Sequence, residues 1–258
     1  MDFSDAGEVF DLYVDWPRRL AREIPFLEET LNASPGRSVV DVACGTGRHT
    51  LALAGAGFQV TGVDPDERLL TVARETSHRQ GLTEVAWINA AFATLPTALA
   101  QRFDSVICLG NSISLIPPGE LDVVLANLAG LLVDSGVAIV HTINYSTLAA
   151  RPEQPWGPVR VLENGDLLLK GFVPQTGGPW DALLVALDRS DSGTGKWRRR
   201  VFRFQLYPHV RDAVERAGRR AGMVLEACYG GFRQEPAEAA TSADLVYVFR
   251  NGALPEPI

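Results

Sequence analysis

The segment Asp41-Val42-Ala43-Cys44-Gly45-Thr46-Gly47 closes a short β-branched run, residues 38–43 (SVVDVA). No other feature constrains the fold as tightly. A strand ending in closely spaced glycines can turn sharply, because glycine reaches backbone angles that a Cβ forbids. Residues 48–55 have helical composition, and the free N–H groups at such a helix start face whatever occupies the turn. Strand signals recur at 58–63, 85–89, 104–109 and 136–143, with helix signals at 66–80 and 120–132. The helix over 66–80 opens on an acidic turn, which complements its N-terminal dipole. This alternation predicts βαβ crossovers, a parallel sheet and a doubly wound, Rossmann-like α/β core.

From about 159 to 206 the pattern changes. The segments VRVLENGDLLLKGFV, WDALLVALDRS and KWRRRVFRFQLYP read as strands separated by turn formers such as Glu163-Asn164-Gly165 and Ser192-Gly193-Thr194-Gly195. They predict an antiparallel β insertion folded over the sheet. Residues 210–222 return to helix, and 223–228 and 245–249 to strand. The resulting division is a core of 1–146 and 207–258, including an N-terminal helical segment 1–36, and an insertion or lid of 147–206.

Charge and cysteine usage narrow the function classes. The net charge is −7, whereas a protein that grips phosphate backbones gathers Lys and Arg. The one basic run, Lys196-Trp197-Arg198-Arg199-Arg200, reads as a solvated strand face, so no nucleic-acid partner is expected. No stretch of eighteen apolar residues predicts a membrane span, and the acidic N-terminus lacks a signal-peptide pattern. Cys44, Cys108 and Cys228 are widely spaced and form no CxxC pair, which suits reduced thiols in a cytoplasm.

Asp64 ends the second strand, where an acidic side chain can accept both hydroxyls of a ribose. A dinucleotide-binding oxidoreductase is the alternative nucleotide reading, but its third glycine position holds Thr50. The pattern D-x-A-x-G-x-G with an acid at the end of the second strand resembles class I methyltransferases that use S-adenosylmethionine. Over most of its length the chain resembles glycine N-methyltransferase and its small-molecule relatives. The landmarks are DVACGTG (41–47), AGFQVTGVD (56–64), VICLGNS (106–112), the Asn144-Tyr145 pair and FRFQLYPH (202–209). The resemblance implies a seven-stranded methyltransferase sheet, with the insertion capping the acceptor site.

Roles follow by that resemblance. Arg19 would hold the carboxylate of S-adenosylmethionine, Ala43, Gly45 and Gly47 would line its methionine portion, and Asp64 would take its ribose. Leu69 and Phe92 would sandwich the adenine, with Leu109 beside the sulfonium and Tyr13 near the transferred methyl. Ala91 stands where the family often has a polar residue toward the base.

The acceptor is expected to be a small molecule. Asn111 matches an asparagine that helps anchor glycine, but the family's arginine before Asn-Tyr is Ile143 here. An aliphatic side chain cannot pair a carboxylate. Glycine is therefore not the expected substrate; a larger and less acidic acceptor fits better, such as a specialised (natural-product) metabolite. Leu115 replaces a histidine, making the pocket more apolar. His141, Asn144, Tyr145, Tyr207 and His209 are the polar candidates around it. His141 is the candidate base for a hydroxyl acceptor, because imidazole titrates near neutrality, and Tyr13 and Tyr207 complete the catalytic candidates. N-methylation leads, O-methylation stays open, and a non-catalytic S-adenosylmethionine-binding protein is the reading of another class. No metal is expected, since no carboxylate pair accompanies Asn111 and His141. The exposed strands of the insertion offer edges for a homo-oligomer.

Overall fold

The computed structural model describes residues 3–150, 156–175, 177–189, 197–238 and 241–252. Its centre is a seven-stranded sheet built from β1 (Ser38–Val42), β2 (Gln59–Asp64), β3 (Ala86–Asn89), β4 (Phe103–Cys108), β5 (Leu132–Ile143), β10 (Met223–Tyr229) and β11 (Asp244–Asn251). The spatial order is β3-β2-β1-β4-β5-β11-β10. Strands β1 to β5 pair in parallel. The chain winds outward from β1 through β2 to β3, then crosses back and winds the other way through β4. This reversal leaves a crevice at the carboxyl ends of β1 and β4, where open α/β sheets bind ligands.

β-Branched strands buried on both faces are what a parallel sheet requires. Val39, Val60, Ile107, Ile139 and Val248 fill one face against Phe26, Leu27 and Leu31. Val40, Val63, Val106, Val140 and Tyr247 fill the other against Leu125 and Leu128. Adjacent residues such as Val39 and Val40 serve opposite faces because strand side chains alternate. The final two strands pair antiparallel, β11 against both β5 and β10. Among the described residues no helix joins β10 to β11.

The helices are α1 (Phe3–Tyr13), α2 (Trp16–Leu31), α3 (Arg48–Gly55), α4 (Glu67–Arg79), α5 (Leu95–Ala98), α6 (Leu121–Gly130), α7 (Tyr145–Ala149) and α8 (Arg211–Arg220). The N-terminal segment is two helices, because Asp15 caps α2 by accepting the Arg18 N–H at 3.3 Å, with Pro17 in the first turn. Leu132 belongs to β5 rather than to the preceding helix, and pairs with Phe103.

The insertion forms its own antiparallel sheet of β6 (Arg160–Val161), β7 (Leu167–Val173), β8 (Trp180–Arg189) and β9 (Trp197–Leu206). Leu168, Leu184, Ala186 and Phe202 on its inner face pack against Ala6 and Val9 of α1. Helix α1 is thus the layer between core and insertion. The basic run is neutralised across the strands: Arg198 and Arg200 both bond Asp188, and Arg203 bonds Asp181. Lys196 and the 192–195 turn lie outside the described residues. Among the described residues no helix is long and apolar enough to cross a membrane.

Candidate active site

Strand β1 leaves the sheet through Ala43, Gly45 and Gly47, at φ 61°, 58° and 75°. Ala43 holds a left-handed conformation despite its Cβ, at a cost of about 1 kcal/mol. Cys44 N–H donates to the Val63 carbonyl at 3.0 Å, which ties the loop to β2. The two glycines do different work. A Cβ on Gly45 would meet nothing within 4 Å, so this backbone faces open space. A Cβ on Gly47 would run into the Trp87 indole and Ala73. The close approach to a ligand expected of both glycines is therefore available at Gly45, whereas Gly47 is required by packing. Asp64 accepts Gly45 N–H at 2.8 Å and Asp66 N–H at 2.9 Å. Burial raises its carboxyl pKa, and those two bonds oppose the rise.

Arg19 reaches this crevice from α2. Its guanidinium passes 3.8 Å from where a Gly110 Cβ would stand, at the end of β4. Its Nε donates to both oxygens of Glu23, at 3.0 and 3.1 Å. Glu23 is fully buried and also accepts from Arg22 at 2.8 Å and pairs with His49 Nε2 at 2.7 Å. Burial would push Glu23 up, but His49 and the charge of Arg19 outweigh it and bring its pKa down to about 2. An ion pair this deep is stable only when its hydrogen bonds are satisfied, and here they are.

Leu69 is buried beneath α1, where a Gly7 Cβ would come within 2.9 Å of it. Phe92 is half-buried and packs on the core. The Ala91 N–H is already donated to Thr94 Oγ1, so it is engaged on the side where the base was expected. Leu109 is buried with Phe26 and Ile139, and the adjoining Gly110 faces the crevice.

The polar acceptor candidates divide into engaged and open groups. Asn111 donates to Tyr145 Oη at 2.8 Å and accepts from Ser114 Oγ and the Ile143 N–H. Asn144 caps α7 and donates to Thr147 and the Ser242 carbonyl. His209 Nε2 bonds the Ile113 and Ile116 carbonyls, fixing the turn after β4, and burial lowers its pKa. Asn144, Tyr145 and His209 line a cavity of about 50 Å³, which is too small for a metabolite. Tyr207 is held beside the same turn through its N–H, 2.7 Å from the Ser114 carbonyl. Tyr13 donates to the Pro158 carbonyl at 3.3 Å, joining α1 to the insertion.

His141 differs from these. It is buried, Nδ1 meets no partner, and Nε2 lies 3.2 Å from Asp244 Oδ1 without hydrogen-bond alignment. Burial pushes Asp244 up, but His141 and Arg22 outweigh it and hold its carboxyl below the usual range.

Residues 39–136 match the model of a methyltransferase domain. The glycine/sarcosine N-methyltransferase of Aphanothece halophytica is 26% identical over 236 residues, covering 88% of this chain and 81% of that enzyme. The glycine/sarcosine N-methyltransferase of Parasynechococcus marenigrum, 34% identical, and the glycine N-methyltransferase of Homo sapiens, 30% identical, match over 57% and 60% of this chain and over 51% and 57% of their own length. An S-adenosylmethionine-dependent methyltransferase structure from Clostridium acetobutylicum superposes with TM-score 0.76 at 15% identity, over 95% of both chains. An S-adenosylmethionine-bound amino pentose methyltransferase of calicheamicin biosynthesis from Micromonospora echinaspora superposes with TM-score 0.69 at 20% identity, over 92% of both.

The chain carries a methyltransferase domain match over residues 39–136.

Several residues of this methyltransferase escaped the sequence analysis. Asp11 of α1 accepts from Thr46 Oγ1 at 2.6 Å and from Arg48, latching the N-terminal helix to the glycine loop. Glu23 stands one helical turn after Arg19, a spacing that signals a pair. Asp41 is fully buried and accepts from Thr50 Oγ1 at 2.7 Å. Burial raises its pKa to about 6 against the influence of His49 and Thr50. Lys170 alternates with Leu168 and Phe172 on an otherwise apolar face of β7, a break in pattern visible from sequence. Among the described residues no group of His, Cys, Asp and Glu side chains gathers to hold a metal.

Proposed function

We propose that this methyltransferase transfers the methyl group of S-adenosylmethionine to the amine nitrogen of a small specialised metabolite larger than glycine. The observation that carries the reading is the Gly45 backbone open to the crevice, flanked by the buried Asp64 carboxylate and by Arg19. Arg19 would pair the donor's carboxylate, Asp64 would accept its ribose hydroxyls, and Gly45 would admit its methionine chain. Leu69 and Phe92 would border the adenine.

When bound, the donor supplies a methyl carbon on a cationic sulfur, already activated toward a lone pair. The protein's task is then proximity, alignment and exclusion of water. Helix α1 and the insertion cover the crevice and exclude water. A neutral amine has its lone pair free, so no base is needed before attack; the proton leaves the nitrogen afterwards. Ile143 argues against glycine, because its apolar side chain leaves a short acceptor's carboxylate unpaired at the edge of β5.

O-Methylation is the second reading, favoured by His141 beside Asp244. An imidazole with open nitrogens and a carboxylate beside it can take a hydroxyl proton. The test is S-adenosylhomocysteine formation with glycine, sarcosine and panels of larger amines and phenols, with the methylated atom located by mass spectrometry. Turnover of a larger amine, with glycine inert, is the expected result. Rapid turnover of glycine would overturn the argument from Ile143, and a methylated oxygen would establish the second reading.

A further inference from the structure

The polar groups described so far are answered within the core, with His141 the exception. The insertion adds a second. Lys170 shares the inner face of β7 with Leu168, which packs on Ala6 and Val9. Its ammonium lies 4.6 Å from the centre of the Phe10 ring and 5.1 Å from that of Phe172. Aromatic faces attract a cation but do not neutralise it, and among the described residues no carboxylate lies within ion-pairing distance of Lys170. Burial lowers its pKa to about 8; Arg19 adds to this and Asp244 opposes it. Lys170 is therefore within electrostatic reach of both. The Lys170 carbonyl accepts the Gly157 N–H at 2.8 Å, and the adjoining Pro158 carbonyl accepts the Tyr13 hydroxyl at 3.3 Å, so Lys170 stands beside the residue expected near the transferred methyl.

The cations around the crevice are not equally answered. Arg19 and Arg22 share the Glu23 carboxylate with His49, and Asp64 and Asp244 add two further carboxylates, but none of these lies within ion-pairing distance of Lys170. Binding S-adenosylmethionine, itself cationic at sulfur and nitrogen and anionic at one carboxylate, adds one positive charge. A half-buried cation without a counter-ion is a ready partner for an anion, and an anionic group of the acceptor would supply it.

We propose that Lys170 is a specificity-determining residue that pairs an anionic group of the acceptor, so that the substrate is an amine carrying a carboxylate or phosphate several bonds from the reacting nitrogen. The inference rests on reading the crevice as a methyl-acceptor site. Ile143 and Leu115 imply a less acidic acceptor; Lys170 supplies a cation from the insertion.

The test loads the full chain with S-adenosylhomocysteine and titrates it by calorimetry with β-alanine, 4-aminobutyrate, 6-aminohexanoate, O-phosphoethanolamine and the matching alkylamines. Wild type, Lys170→Met and Lys170→Arg are compared. The expected result is that at least one anionic amine binds wild type tenfold or more tighter than its uncharged-tail counterpart. Lys170→Met removes that preference, Lys170→Arg retains most of it, and S-adenosylhomocysteine affinity is unchanged in all three. The carboxylate and phosphate arms identify which anion fits. Absence of any preference in wild type, or its persistence in Lys170→Met, overturns the assignment. A preference lost equally in both variants marks Lys170 as structural and overturns it too. Failure of wild type to bind S-adenosylhomocysteine overturns the donor-site reading instead, and the inference with it.

Discussion

The sheet core and the insertion handle buried charge in opposite ways. In the core these deep carboxylates have protein partners: Asp41 has Thr50, Glu23 has two arginines and His49, and Asp64 has two backbone N–H groups. On the insertion's inner face, the half-buried Lys170 has aromatic rings and, among the described residues, no counter-ion. A preorganised, satisfied core suits a donor common to many enzymes. An unanswered cation on the covering layer suits an acceptor that differs between them. Helix α1 is the hinge of the comparison, latched to the glycine loop through Asp11 and packed against the insertion through Ala6 and Val9.

The sharpest way to break the core side is Glu23→Gln. Removing one partner of a buried pair leaves uncompensated cations and costs about 3–5 kcal/mol. Thermal unfolding should show a large drop in midpoint, and donor affinity should fall with it because Arg19 loses its brace. A midpoint within a degree of wild type would mean the network is not stabilising. Next is Gly45→Val, which places a β-branched residue at φ 58° and fills the open cradle. S-Adenosylhomocysteine affinity should fall by roughly a hundredfold, about 2.7 kcal/mol. Gly47→Ala should instead act on stability first, through Trp87, so the pair separates a ligand-facing glycine from a packing one.

Asp41 supplies a pH test. Its folded pKa, raised to about 6 from 3.8, means the native state binds the extra proton between those values. Its contribution to stability is fully present below 3.8 and is lost as pH rises through about 6. Asp41→Asn removes the cost of the buried charge, so at pH 8 the variant should be more stable by about 1–3 kcal/mol. That advantage should shrink to nothing below pH 4. Parallel pH–stability curves for variant and wild type would contradict the shift. The smallest effect is expected from Asp11→Ala, which unlatches α1 at about 1 kcal/mol or less. Donor affinity should drop a few-fold while the core midpoint barely moves. Equal losses in both would merge α1 into the core.

The core was legible because its signals are local. Period, β-branching and the 41–47 glycine turn placed β1 to β4 within one residue of their observed bounds, and the alternation announced the antiparallel insertion. Side-chain roles depended on contacts that no local pattern encodes. Gly47 reads like Gly45 in sequence, yet Trp87, forty residues on, decides its role. His209 and Asn144 looked like acceptor groups because of their neighbours in sequence, but their partners are the carbonyls of Ile113, Ile116 and Ser242. Lys170 and Glu23 did leave local traces, a cation in an apolar alternation and an acid one turn from Arg19. Only the docking of α1 against β7 gave the first of these a place near the crevice.

The most direct test of the central claim, a donor site built on Gly45, Asp64 and Arg19, is calorimetric titration of S-adenosylhomocysteine into wild type and Asp64→Ala. One molecule should bind each wild-type chain, and the variant should bind at least tenfold more weakly with its unfolding midpoint little changed. No binding to wild type, or equal affinity in the variant, would contradict the account.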